Sequence, residues 1–384
     1  MESRFISKKH CNNLNTAMFD SLPILKQDKE IINLSIGVPD FITPKIIIEK
    51  AFHDAINGYT RYTEPTGDSE FINEIIKFYS DEYNYNFTEK EVMAVVGACH
   101  GIYLVLQAII DEGDEVIIHE PYFTPYREQI KLVGGKSVIL KTVEEDNFNI
   151  NIDKLKSIIT KKTKAIILNS PNNPTGAFFD RKLLEKIAEV AIENDLIVIS
   201  DEVYYSFIYT EKFCPIASIP RMKERTITVG SFSKGYAMSG WRIGYVIAPN
   251  FLIDCIKNIN ENICYTAPSI SQRAALHALR MGKQVQSEII EEFKRRMFYS
   301  YEKINKINGL SVLPPKGGIY DFVNIKNTGM DSKKFSNFIA RETNVIVIPG
   351  TSFGESGEGY VRIACVVGIE KLKEAFERID EAIN

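Results

Sequence analysis

The sequence predicts an α/β protein. A large domain is built around a mostly parallel sheet of the seven-stranded type, and a smaller α+β domain is built from both ends of the chain. Three observations predict this. Short, unbroken apolar runs alternate with helical periodicity between about residues 45 and 280, and strands of that kind are buried on both faces, as parallel strands flanked by helices are. A long amphipathic stretch, 268–307, then leaves the pattern. The 384 residues also exceed one ordinary core. The expected divisions are 1–44 (an N-terminal arm and part of the small domain), 45–280 (the large domain) and 281–384 (the small domain).

In chain order, "VMAVVG" (92–97) reads as a strand and "GIYLVLQAII" as the helix after it. "DEVIIHE", "KAIILNS", "LIVISDE" and "TITVGSFS" read as further strands, separated mostly by helical segments such as "RKLLEKIAEVAIEND". The stretch 268–307 reads as one long helix or two consecutive ones, with Gly282 as the joint. "GGIYDFVNI", "NVIVIPG" and "GYVRIACV" read as strands of the small domain, and "IEKLKEAFERIDEAI" as its last helix. The first forty residues cannot build a core alone and are expected to pack with this second domain.

Composition narrows the function. The formal net charge is −4, with neither a polybasic run nor an acidic tail, so neither nucleic acid nor a membrane surface is an expected partner. The six cysteines are scattered without a CxxC pair, which reads as reduced thiols in a cytoplasmic protein. The start lacks the apolar core of a signal peptide, and no apolar run is long enough to span a bilayer. The five histidines show no metal-ligand spacing, so no metal site is expected.

Ligands of open α/β sheets lie beyond the carboxyl ends of the strands. There "VMAVVG" delivers Ala98 and Cys99 at a helix start, and "DEVIIHE" leads to Phe123. "KAIILNS" leads to Asn173, "LIVIS" to Asp201 and Tyr204, and "TITVG" to Ser231 and Lys234, with Arg242 eight residues on. An anion cradle, an aromatic ring, an amide, a carboxylate with a phenol, and an amine together suit pyridoxal phosphate. Lys234 would take its aldehyde, and Asp201 would hold the pyridine nitrogen protonated. Asn173 and Tyr204 would stabilise the ring oxygen, and Phe123 would stack on the ring. The N–H groups of Ala98 and Cys99, with Ser231 and Arg242, would hold the phosphate. Taken singly, each has a plain structural reading: Lys234 on the surface, Asp201 as a helix cap, Tyr204 in the core, "NPTG" as a turn. Together, at successive strand ends, they do not.

The motifs "LSIGVPDFITP", "YTEPTG", "VGACHG", "DEGDEVIIHEPYFTPY", "NSPNNPTG", "SDEVY", "SFSKGYAMSGWRIGY", "PKGGIYDF" and "PGTSFGESGEGYVRIA" run in one order across nearly the whole chain. In them the chain resembles the class I/II aminotransferases of the fold-type I pyridoxal-phosphate enzymes. The resemblance implies that Arg362 grips the substrate α-carboxylate, that Gly37 and Asn173 meet the substrate, and that Tyr62 reaches the cofactor phosphate of the other subunit of a homodimer with shared active sites. It implies transfer of an amino group from an L-amino acid to a 2-oxo acid, with Lys234 as the base. Cys99 stands where aspartate-handling relatives often carry lysine, which favours neutral or aromatic side chains. His100 is the one histidine near the site, and Ile36 and Met18 are candidate side-chain contacts. The competing readings are a carbon–sulfur β-lyase or another fold-type I enzyme, a ligand-sensing regulator that keeps this fold, and a serine hydrolase reading "SFSK" as S-x-x-K.

Overall fold

The computed structural model describes residues 30–384. The arm before residue 30, with Met18, lies outside the described residues. The chain enters through a short strand, β1 (Ile32–Asn33), and two helices, α1 (Lys45–Ile56) and α2 (Ser69–Tyr83). The sheet-forming region follows: β2 (Val92–Val95), α3 (Gly97–Ile109), β3 (Glu115–Glu120), α4 (Pro125–Leu132), β4 (Lys136–Lys141), α5 (Ile152–Ile158), β5 (Thr163–Asn169), α6 (Arg181–Glu193), β6 (Ile197–Asp201), β7 (Thr226–Ser231) and β8 (Gly244–Ile247). Three helices lead away from it, α7 (Asn250–Glu261), α8 (Ser269–Met281) and α9 (Lys283–Ile304). The chain ends with β9 (Tyr320–Asn324), α10 (Ser332–Thr343), β10 (Val345–Ile346), β11 (Ile348–Pro349), β12 (Tyr360–Ala364) and α11 (Ile369–Ile383).

The large sheet has seven strands in the order β2-β8-β7-β6-β5-β3-β4. Only β8 runs against its neighbours. Because β2 is antiparallel to β8 and β8 to β7, β2 points the same way as β7. The helix start after β2 therefore reaches the same sheet edge as the lysine after β7.

Two of these strands were not legible in the sequence. β4 is a half-exposed edge strand, so it lacks an unbroken apolar signature. β8 follows "SFSKGYAMSGWRI" too closely to be separated from it by periodicity. The central strands alternate their side chains between two cores. Ile118, Ile167 and Val229 pack with Ile102 of α3 and Ile256 of α7, whereas Ile117, Ile166 and Val198 pack with Leu184 and Ile187 of α6. Full burial of each such side chain contributes roughly 1.5–3 kcal/mol. Asp180 caps α6 by accepting from Leu183 N at 2.8 Å, and Asp68 caps α2 by accepting from Phe71 N at 3.1 Å.

The stretch 268–307 is two helices, α8 and α9, broken at Gly282, whose φ of 46° lies in the left-handed region. Beyond the break, β9 and β11 flank β12 in an antiparallel three-stranded sheet. "NVIVIPG" is not one strand. β10 pairs in parallel with β1, and β11 joins β12. Residues 30–34 thus pair with strands near the C-terminus, and Ala364 N also donates to Leu34 O at 2.8 Å. The segment 35–44 then crosses to the large sheet. Asp40 makes a two-pronged ion pair with the buried Arg296 of α9 at 2.7 and 3.1 Å.

Candidate active site

A cavity of about 360 Å³ opens at the carboxyl edge of the large sheet. Lys234, three residues past β7, projects into it. Its Nζ donates to the Gly37 carbonyl of the crossing segment. Burial lowers the lysine pKa, as do the neighbouring Arg362 and Arg242 charges, while Tyr320 acts against the shift.

Asp201, the last residue of β6, faces the same cavity. One of its carboxylate oxygens accepts from the Tyr126 hydroxyl, and the other accepts from Val203 N at 3.2 Å. Burial raises its pKa to about 6 against those hydrogen bonds. The next residue, Glu202, points the other way, as alternation along a strand requires. It accepts from Tyr79 at 2.9 Å and Ser200 at 3.0 Å, and does not line the cavity.

Asn173 follows β5. Its backbone N donates to Asn169 Oδ1 at 2.8 Å, and its Oδ1 accepts from Arg362 Nη1 at 2.9 Å, which leaves its Nδ2 as a donor. Arg362, on β12, is 1% exposed. It also donates to the Ser35 carbonyl, and its guanidinium lies over the rings of Tyr320 (4.5 Å to centroid) and Phe353 (4.8 Å).

At the other end of the cavity, α3 begins at Gly97-Ala98-Cys99 with no side-chain cap. Gly97 has φ +77°, and a Cβ there would lie 2.8 Å from Arg242 Nη2. Only glycine lets the guanidinium close on the helix start. Arg242 itself is exposed and donates to Ser239 O at 2.8 Å. Ser231 donates from its hydroxyl to that of Ser233 at 3.0 Å, and both line the cavity. Cys99 and Phe123 complete this end, and burial raises the Cys99 pKa.

Eleven of the twelve site residues singled out in the sequence therefore share one cavity: Lys234, Asp201, Tyr204, Ala98, Cys99, Phe123, Asn173, Ser231, Arg242, Gly37 and Arg362. Tyr62 does not. It is 85% exposed, packs edge-on against Tyr265 at 5.1 Å, and lines a second cavity of about 240 Å³. Ile36 does line the main cavity. His100 does not, because its Nδ1 accepts from Val96 N at 3.2 Å and so closes the turn into α3.

A family model described as aminotransferase class I and II matches residues 29–379. The chain belongs to the class I and II aminotransferases. It is 42% identical over 360 residues to an aspartate aminotransferase of Pyrococcus abyssi, covering 93% of this chain and 92% of that one. It is 39% identical to an aromatic-amino-acid aminotransferase 2 of Thermococcus litoralis, covering 92% of each. Among solved structures, the aromatic aminotransferase of Pyrococcus horikoshii superposes with a TM-score of 0.90 at 41% identity, covering 92% of this chain and 95% of that one. This aminotransferase is an enzyme that moves amino groups between amino and 2-oxo acids. Aminotransferases of these classes depend in general on pyridoxal phosphate.

The cavity of the aminotransferase also holds residues that the sequence reading passed over. Tyr126 meets Asp201, and it lies three residues after Phe123 at the start of α4, a spacing visible in "PYFTPY". Tyr320 brings its hydroxyl 2.9 Å from that of Tyr204. It sits inside "PKGGIYDF", where only its place beside β12 reveals it. No helix among the described residues is long and apolar enough to cross a membrane.

Proposed function

We propose that this aminotransferase works with pyridoxal phosphate held in the main cavity and acts on amino acids with neutral or aromatic side chains. The observation that carries the first part is the donor set of one cavity: a desolvated amine (Lys234, just past β7), a buried carboxylate (Asp201, on β6) and a buried guanidinium (Arg362, on β12). The uncapped helix start that closes on Arg242, which a Cβ at position 97 would obstruct, suits a phosphate. When bound, the cofactor supplies an electron-accepting ring that stabilises negative charge at the substrate Cα.

The residues divide the work. Lys234 would hold the aldehyde carbon, and its lowered pKa favours the neutral amine that takes the Cα proton onto Nζ. Asp201 would keep a proton on the ring nitrogen, with Tyr126 fixing the carboxylate. Asn173 Nδ2 and the Tyr204 hydroxyl would donate to the ring oxygen, and Phe123 would cover the ring. Ser231, Arg242 and the first N–H groups of α3 at Ala98 and Cys99 would hold the phosphate. Arg362, with Gly37 beside it, would bind the substrate α-carboxylate through a planar fork.

Borohydride reduction of the yellow holoenzyme followed by peptide mapping tests this. The label belongs on Lys234 and is absent from Lys234→Ala. A label elsewhere, or a colourless protein after addition of the cofactor, refutes it.

The substrate preference is supported by charge. Among the described residues of one chain that line the cavity, the cations are Lys234, Arg242 and Arg362, and this reading uses all three before a second carboxylate is bound. Mixing the holoenzyme with each amino acid and following the visible absorbance decides the point. If aspartate and glutamate alone react, the preference is wrong.

We further propose a homodimer with shared sites and the division 1–44, 45–280 and 281–384. Ile42, Ile56 and Tyr62 are each more than 80% exposed, a pattern that suits a covered face. Tyr62 would then serve the partner's phosphate. The seven-stranded sheet uses only residues 92–247, and the smaller sheets draw on residues near both ends.

A further inference from the structure

We propose that Tyr320 is a positioning residue that fixes the Tyr204 hydroxyl as a donor into the cavity and holds the Arg362 fork in place, so that carboxylate binding and ring-oxygen stabilisation share one support. The proposal rests on the reading of the cavity as a pyridoxal-phosphate site.

Both phenols are nearly fully buried, and their hydroxyls lie 2.9 Å apart. A phenol has one proton to donate. If Tyr204 spends its proton on the ring oxygen, the bond between the two phenols must be donated by Tyr320. Tyr320 thereby sets the direction of the Tyr204 bond, and a hydroxyl that accepts one hydrogen bond donates the next more strongly.

The ring of Tyr320 does separate work. Tyr320 lies on β9 two residues from Phe322, the cross-strand partner of Arg362, and so is the diagonal neighbour of Arg362 on the same face. Its centroid is 4.5 Å from the guanidinium. The same side chain fills the space where a Cβ on Gly37 would project. Tyr320 thus touches the guanidinium, the phenol and the crossing segment whose carbonyl accepts from Lys234.

Tyr320→Phe keeps the ring and removes the hydroxyl. The expected result is a KM within about threefold of wild type, a kcat reduced about tenfold or more, and a rise of about half a pH unit or more in the pH at which the bound cofactor's visible spectrum changes. Tyr204→Phe is expected to raise that pH as well, and the double variant to move it no further than Tyr204→Phe alone, because the Tyr320 hydroxyl acts through Tyr204. Tyr320→Leu, which also removes the ring, is expected to raise KM about tenfold beyond Tyr320→Phe.

A Tyr320→Phe enzyme with wild-type kcat and spectral titration overturns the proposal. So does a double variant in which the two shifts add in full. If Tyr320→Phe does not fold, the Tyr320→Leu KM and the Tyr204→Phe titration carry the test, and a wild-type value in either one overturns it. Failure of the underlying cofactor reading looks different: the wild-type protein itself then shows no visible band with added pyridoxal phosphate.

Discussion

Arg362 Nη1 donates to Asn173 Oδ1 across 2.9 Å, a bond that links the loop beyond one sheet to a strand of another. Asn173 follows β5 of the seven-stranded sheet, and Arg362 lies on β12 of the three-stranded one. A guanidinium that is 1% exposed and stacked between Tyr320 and Phe353 has little rotational freedom. Lysine at this position offers a point charge without the fork. Arg362→Lys is therefore expected to lower kcat/KM for amino acids about 10²–10³-fold, the loss of one or two charge-assisted hydrogen bonds. The visible band of the bound cofactor is expected to be unchanged, because Arg362 is not among the residues assigned to hold it. Stopped-flow rates and an absorbance spectrum measure both.

In the proposed role at the ring nitrogen, Asp201 is expected to give cofactor binding a pH dependence. Burial raises its pKa to about 6 in the ligand-free protein. A partner with a protonated ring nitrogen requires the ionised form. Above pH 6 the carboxylate is already ionised and adds no dependence. Below pH 6 binding must first expel its proton, so affinity is expected to fall about tenfold per pH unit. Titrating the apoprotein with pyridoxal phosphate at pH 5, 6, 7 and 8 measures the slope. Asp201→Asn is expected to bind more weakly and to show no such break. A break that persists in Asp201→Asn assigns it to another group.

Glu202 affects stability instead. Its carboxyl is buried among Tyr79, Ser200 and Thr228, and burial raises its pKa from an ordinary 4.5 to about 7, against the hydrogen bonds from those groups. Because the folded pKa lies above the unfolded one, the native state is favoured fully below pH 4.5, and the advantage is lost as pH rises through 7. The loss from this group is at most about 3 kcal/mol. Urea unfolding between pH 5 and 8 is expected to show stability declining with pH in the wild type and a flatter profile in Glu202→Gln. Turnover by Glu202→Gln is expected to stay near wild type, since Glu202 does not line the cavity.

These two neighbouring carboxylates also show what was legible in the sequence. A strand ending in "SDE" must send Asp201 and Glu202 to opposite faces, and the apolar run before them identifies a buried strand. The same logic located Ala98, Asn173 and Lys234, because each follows an apolar run whose end is visible. Tyr320 follows no such run. Its nearness to Arg362 depends on β9 pairing with β12, a long-range register that local pattern does not encode. Tyr62 shows the limit from the other direction. Its motif is plain, yet in a single chain it lies outside the main cavity, so the role proposed for it turns on a second copy that no one-chain pattern describes. β4 was missed because an edge strand with one exposed face does not stand out from the loops beside it.

Gly37 provides the remaining prediction. A Cβ at this position would overlap the Tyr320 hydroxyl and the ring carbons beside it. Tyr320 is held by Tyr204 on one side and Arg362 on the other, so the ring cannot swing away without disturbing both. The crossing segment must move instead. Its Asp40 is anchored to Arg296, which confines the displacement to residues 35–38. Those residues carry the Ser35 carbonyl that accepts from Arg362 and the Gly37 carbonyl that accepts from Lys234. Gly37→Ala is therefore expected to destabilise the protein by about 1–3 kcal/mol through overpacking. It is also expected to raise KM for amino acids about tenfold, because the Arg362 fork, proposed to bind the carboxylate, loses its backbone support. Thermal unfolding and steady-state kinetics measure the two effects separately. A Gly37→Ala enzyme with wild-type KM would mean that the arginine is held by Asn173 and the two aromatic rings alone.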